Sequence, residues 1–177
     1  MSGSWGLDEW HRFPPLFTLQ PVESIRQHQL AVWVDIVLAW AAEHNQWTIS
    51  LNECAVFENG DIGRRLSKQG IEAVGAALVA DGRAERTGAG QLELFSERPA
   101  DLANRLYEWV ERSGMLGGVY TIFELHDDKA TTPDNPCRGL DLGLIRRSLD
   151  FLEQDNRAEV FQGTATREDG VKFFPRS

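Results

Sequence analysis

Cysteine is nearly absent from this chain. Of 177 residues only Cys54 and Cys137 carry thiols, far apart and outside any metal-ligand spacing. A disulfide-stapled secreted scaffold is thereby excluded, and a reduced, intracellular protein is the simple inference. A long apolar run is also missing. The longest, Leu30 to Ala42, contains Asp35, is too short to span a bilayer and reads as a buried helix. Asp8 and Glu9 interrupt the first ten residues, so no signal peptide is expected. Basic charge is scarce: 18 Lys and Arg face 27 Asp and Glu, for a net charge of −9. Residues 1–97 hold 7 of the former and 13 of the latter, so both halves are acidic. Neither has the balance of a nucleic-acid binder or of a protein drawn directly to an anionic membrane.

Catalytic patterns are absent as well. His11, His28, His44 and His126 are scattered. There is no HExxH, CxxC, G-x-S-x-G, P-loop or dinucleotide fingerprint. Gly114 to Gly118 lacks the Lys and Ser/Thr of a phosphate cradle, and Asp127-Asp128 reads as a solvated charge run. No catalytic, cofactor-binding or metal-binding residue is assigned, and the chain is read as a non-enzyme.

What is present begins with Trp10-His11-Arg12-Phe13-Pro14-Pro15-Leu16-Phe17. Two adjacent prolines fix φ near −65° and remove two donors, so the segment is no helix interior and no central strand. It is expected to be extended, with Trp5, Trp10, Phe13, Leu16 and Phe17 as apolar anchors on a stiff arm covering residues 1–23. Such an arm covers either its own domain or a partner.

Behind it, Ser24 suits an N-cap and a helix is predicted from Ile25 to His44, with Leu30, Trp33, Val34, Val37, Leu38 and Ala41 on one face. Residues 47–51 alternate as a short strand, residues 54–61 read as irregular, and Ser67 caps a helix ending at Asp81-Gly82. Residues 84–95 then form a hairpin. Helix, strand, helix and hairpin in this order are those of a winged-helix domain.

The second half repeats the order: a helix from Pro99 to Arg112, a strand at 119–121, a polar loop at 127–139, a helix capped by Asp141, and a hairpin of 158–161 with 171–174. Leu66, Ile71 and Leu78 match Leu140, Ile145 and Leu152 at an offset of 74. Asp81-Gly82-Arg83-Ala84-Glu85 matches Asp155-Asn156-Arg157-Ala158-Glu159 at the same offset. Gly82 and Asn156 share a position, and both residue types tolerate the left-handed region. The expected fold is therefore α+β: two tandem winged-helix domains, 24–97 and 98–177, each a small helical bundle with a β-hairpin wing, preceded by the extended proline-aromatic arm.

Winged helices often place their third helix in the DNA major groove. Here both such helices are net acidic, which disfavours the alternative reading, a DNA-binding transcriptional regulator. An enzyme with a cleft between the domains is a weaker alternative. A protein-interaction module fits better.

Trp10-x-x-Phe13-Pro14-Pro15-Leu16-Phe17-Thr18-Leu19-Gln20-Pro21 resembles the N-terminus of the small tandem winged-helix subunit of the endosomal sorting complex ESCRT-II. Arg26-Gln27-x-Gln29-Leu30-Ala31-x-Trp33 is similar to that family's first helix. Tyr107-x-Trp109-Val110-x-Arg112-Ser113-Gly114, Gly139-Leu140-Asp141, Arg157-Ala158-Glu159 and Gly170-Val171-Lys172-Phe173-Phe174 resemble parts of its second domain. Only one Pro-Pro-x-aromatic motif is clear, and Trp5 stands where some members have another. The resemblance implies an adaptor for ubiquitin-dependent sorting into multivesicular bodies, cytoplasmic and recruited to the endosomal membrane through its complex. Its partners would be the two larger winged-helix subunits, docked by Trp5, Trp10, Phe13, Pro14, Pro15, Leu16 and Phe17. An ESCRT-III subunit would be recruited through residues 119–174. Since both domains look complete without the arm, the arm is expected to be free to dock on the larger subunits.

Overall fold

A computed structural model describes residues 6–88, 90–127 and 132–176. The chain divides into two compact units, Met1–Ser96 and Glu97–Ser177.

In the first unit, α1 (Leu7–His11) and a 3-10 turn (Pro14–Phe17) precede the long helix α2 (Glu23–His44). Trp33, Val37 and Ala41 of α2 are fully buried, and Val34 and Leu38 nearly so. This is the stripe that the spacing by threes and fours predicts. The helix starts earlier than expected. Val22, not Ser24, is at the cap position, and no side chain caps it. The first turn is held instead by Arg26, which donates to the carbonyls of Gln20 and Pro21 and pairs with Glu23. Asn45, left-handed at φ 48°, ends the helix.

Strands β1 (Thr48–Ser50), β4 (Ala84–Arg86) and β5 (Gln91–Leu94) form an antiparallel sheet of order β1-β5-β4. Between them lie a 3-10 turn (Ala55–Phe57), the small hairpin β2 (Glu58–Asn59) with β3 (Arg64–Arg65), and α3 (Lys68–Ala80). The stretch expected to be irregular thus has structure, and Asn59-Gly60 opens its turn. Ser67 caps α3 as predicted, its Oγ accepting from the Gly70 N–H at 3.1 Å.

The second unit contains α4 (Pro99–Arg112), β6 (Val119–Thr121), α5 (Ile122–His126), α6 (Leu142–Gln154), β7 (Ala158–Phe161) and β8 (Gly170–Phe173). Its sheet has the order β6-β8-β7, the same arrangement as in the first unit. Leu102, Leu106, Val110, Ile122, Leu125, Leu149, Leu152 and Phe173 are fully buried. The polar loop is partly built in: Asn135 donates to the Leu125 carbonyl at 2.5 Å and accepts from the Cys137 N–H at 3.0 Å.

The internal repeat is realised bond for bond. Gly82 (φ 71°) and Asn156 (φ 56°) both turn left-handed after their helices. The next N–H returns to the helix in each case, Arg83 to Leu78 at 2.9 Å and Arg157 to Leu152 at 2.8 Å. Arg83 and Arg157 then accept from Phe95 at 2.8 Å and Phe174 at 2.9 Å. A left-handed residue costs little only for Gly, Asn or Asp, which is why the exchange of Gly for Asn is tolerated here.

Candidate partner-binding site

The proline-aromatic segment is not extended chain. Pro14 and Pro15 are the first two residues of the 3-10 turn, where a missing N–H costs nothing because those donors have no partner in any helix start. The turn rotates Leu16 and Phe17 inward. They are 3% and 4% exposed, part of the first unit's own core. Phe17 meets the Trp33 ring edge-on, centroids 5.3 Å apart at 88°, and lies 5.5 Å from the His11 ring. The expectation that these two side chains enter a partner's groove is therefore corrected. Two large apolar side chains gain full burial locally, and the first unit is incomplete without them.

Two polar side chains of α2 clamp the backbone of this segment. Gln29 is 5% exposed and fully engaged. Its Nε2 donates to the Leu16 carbonyl at 2.8 Å and the Thr18 carbonyl at 2.9 Å, and its Oε1 accepts from the Gln20 N–H at 3.0 Å. Trp33 Nε1 donates to the same Leu16 carbonyl at 3.0 Å. Helix α1 is fastened to the small hairpin. His11 Nε2 donates to the Val56 carbonyl at 2.8 Å, and Asn59 Nδ2 donates to the His11 carbonyl at 2.7 Å.

With its inner side fixed, the segment offers its outer side. Trp10 and Phe13 are half-buried, and Pro14 and Pro15 exposed. Trp10 packs edge-on against Phe13 and against His28, each at 5.9 Å. These residues, with Pro15, Leu16 and Ile25, line an open apolar groove of about 310 Å³. Ile25 is 53% exposed and Val22 52%. None of the lining side chains is a carboxylate, a lysine or an arginine, so an apolar ligand would enter without desolvating a formal charge.

Of the sequence-derived site residues, the structure brings together Trp10, Phe13, Pro14 and Pro15 at the surface and sends Leu16 and Phe17 inward. Trp5 lies outside the described residues. Ile25 and His28 were missed because they belong to α2, not to the arm. Gln29 was legible in principle: it sits four residues before Trp33, a polar residue within an apolar stripe, and such a residue needs a backbone partner.

Burial pushes the Cys137 thiol up to about 12 and raises that of Cys54, so neither thiol is a reactive nucleophile. No group of three His, Cys, Asp or Glu among them could hold a metal ion, and no helix among them is long and apolar enough to cross a membrane. On α3 the exposed positions are Lys68, Gln69, Glu72, Ala76, Val79 and Ala80, with Glu72 paired to Arg86. That helix carries a single Lys and no Arg, little for a phosphate backbone to attract.

Two winged-helix units, the first with an apolar groove, define an α+β protein of the tandem winged-helix class. The comparisons narrow this. A model of the ESCRT-II complex subunit family matches residues 10–141. The chain is 33% identical to the vacuolar protein-sorting-associated protein 25 of Xenopus laevis, over 94% of this chain and 98% of that protein. Its fold is similar to that in the crystal structure of subunit VPS25 of the endosomal trafficking complex ESCRT-II, with a TM-score of 0.72 and 23% identity over 92% of this chain and 96% of that one. It is similar also to a chain in the crystal structure of endosomal complex ESCRT-II (VPS22/VPS25/VPS36), with a TM-score of 0.68 and 23% identity over 92% and 96%. The chain belongs to the ESCRT-II complex subunit family.

Proposed function

We propose that this chain is a non-catalytic adaptor of ESCRT-II in endosomal protein sorting, holding the two larger subunits through the groove beside its Pro-Pro segment. The carrying observation is that groove: apolar, open, uncharged, and built on a backbone clamped by Gln29 and Trp33. Family membership and a solved ESCRT-II complex that includes VPS22 and VPS36 alongside VPS25 support the choice of partner. The direction of insertion differs from a free arm. Trp10, Phe13, Pro15 and Ile25 form a receptor that takes an apolar side chain of the larger subunit, while Leu16 and Phe17 anchor the receptor to the core.

Recruitment of an ESCRT-III subunit belongs to the second unit on this reading. It has its own apolar surface, a groove of about 330 Å³ lined by Trp109, Met115, Tyr120 and Leu125, with Phe123 42% exposed nearby. The chain would act in the cytoplasm and reach the endosomal membrane only through its complex.

Reconstitution with the larger subunits tests the first contact. Phe13→Asp combined with Ile25→Asp introduces charge into the groove without touching a fully buried side chain, and is expected to weaken assembly roughly a hundred-fold or more, the cost of an unpaired charge at an apolar contact. Phe123→Asp is expected to leave that assembly intact and abolish capture of the ESCRT-III subunit. Unchanged assembly of the first variant, with its fold intact, would remove the groove from the interface.

A further inference from the structure

Helix α2 has a second, unrelated face. Its residues Leu30, Ala31, Val34 and Asp35 lie across from Ala77 and Ala80 of α3 and the Asp81 that caps its end, and an open groove of about 390 Å³ runs between them. Residues 27, 30 and 34 lie well round the helix from residues 25, 28 and 29, which border the arm groove, while Ala31 and Asp35 stand one and two turns beyond His28 toward that side. Nothing in the function proposed above uses this face.

The groove has an apolar floor and acidic margins. Val34 is almost wholly buried and Leu30 and Ala77 half-buried, whereas Ala31 and Ala80 are exposed. Alanine on both walls lets another backbone come close, as ridges of one helix settle between two others. No lysine or arginine lines the groove, while Asp35 and Asp81 do. The groove also lies at the C-terminal end of the 13-residue α3, where the helix dipole adds partial negative charge. The whole chain carries −9, so a cationic partner is drawn to it from a distance.

We propose that the groove between α2 and α3 is a second docking surface on the first unit, and that its occupant is a cationic amphipathic helix of a partner protein. Apolar side chains on one face of that helix fill the space over Leu30, Val34 and Ala77. Lysine or arginine at its edges meets Asp35 and the C-terminal end of α3. Amphipathic helices are read in this way by apolar grooves, with anchors at i, i+3, i+4 and i+7. A DNA backbone offers the wrong charge, and an acidic helix would be repelled.

The full chain, labelled at its alanine methyls, provides the test. It is titrated with a synthetic amphipathic helix of leucine and lysine, and separately with one in which glutamate replaces every lysine. The lysine peptide is expected to shift Ala31, Ala77 and Ala80 and leave the remaining alanines in place. The glutamate peptide should bind roughly ten-fold more weakly or worse, since charge pairing discriminates strongly against like charge. Asp35→Asn should weaken the lysine peptide at low salt and lose its effect at high salt, as an exposed pair does. Ala31→Arg with Ala80→Arg, both exposed and checked for an unchanged far-ultraviolet spectrum, should block binding. The proposal is overturned by equal binding of both peptides, or by shifts spread over alanines elsewhere. It is overturned equally if Ala31 and Ala80 shift with the protein's own concentration, which would make the occupant a second copy, or if anionic vesicles shift them as well as the peptide does.

Discussion

Replacing Phe17 with alanine separates an anchor from a ligand. If Phe17 is a free hook for a partner, the variant assembles poorly and folds normally. The structure points to the other outcome. The ring is 4% exposed and edge-on to Trp33 at 5.3 Å. Truncating such a residue removes its burial and leaves a cavity, about 3–5 kcal/mol in comparable cores, of which the aromatic pair accounts for ~1 kcal/mol. A domain of this size has ~5–15 kcal/mol in total, so the loss is a large fraction. With a urea dependence of ~1–3 kcal/mol per molar for a small domain, the midpoint should fall by roughly 1–5 M. The two cysteines make the assay specific to each unit, because both are buried, Cys54 in the first and Cys137 in the second. Pulsed thiol labelling across a urea series should show Cys54 reacting at much lower urea in Phe17→Ala, with Cys137 unchanged. Pro15→Ala, at an exposed position, should move Cys54 by less than about 1 kcal/mol while weakening assembly. A Phe17→Ala protein with the wild-type Cys54 midpoint and defective assembly would refute the reasoning, and would mean that the segment leaves its own domain to bind.

Three further outcomes are expected. Gln29→Leu removes the acceptor of the Gln20 N–H and one of the two donors to each of the Leu16 and Thr18 carbonyls, and should cost about 1–3 kcal/mol. Hydrogen exchange at Gln20 should accelerate, and unchanged exchange would show that apolar burial alone holds the segment. Asp141 accepts from the N–H groups of Gly143 at 2.9 Å and Leu144 at 3.4 Å, so Asp141→Ala should destabilise the second unit by ~1 kcal/mol, seen as earlier labelling of Cys137 in urea. The third concerns pH. Burial raises the Cys137 thiol from 9.0 to about 12. The folded form therefore keeps a proton that the unfolded form gives up, and the associated stability is present below pH 9 and lost as pH climbs toward 12. The slope should be up to about 1.4 kcal/mol per pH unit. Comparing Cys137→Ala with the parent across that window isolates the thiol from other groups, and identical slopes would contradict the burial.

Much of the architecture was legible because it follows from short-range rules. The periodic stripe on α2, the caps Ser67 and Asp141, and the turns at Gly82 and Asn156 each depend on a few neighbouring residues. The start of α2 was misread. Ser24 has the right chemistry for a cap, but Arg26 and Glu23 hold the first turn with side chains instead. The small hairpin of β2 and β3 escaped notice because four residues of strand give no periodic signal.

For the site, the sequence by itself determined which residues are distinctive. Two prolines among four aromatics, an acidic charge throughout and a repeat at an offset of 74 already pointed to an interaction protein of tandem winged helices. Which side of the proline segment faces a partner was decided only by the tertiary structure. A five-residue helix followed by a four-residue 3-10 turn is too short to carry a period from which inside and outside can be read. Their sense was set by residues 9 to 48 positions away in the chain: Gln29, Trp33 and Asn59 bind backbone atoms of the segment, and the Val56 carbonyl holds the His11 ring. Burial of Leu16 and Phe17 completes a core that the helices behind them do not close alone, and that same burial turns Trp10, Phe13 and Pro15 outward as the walls of a groove.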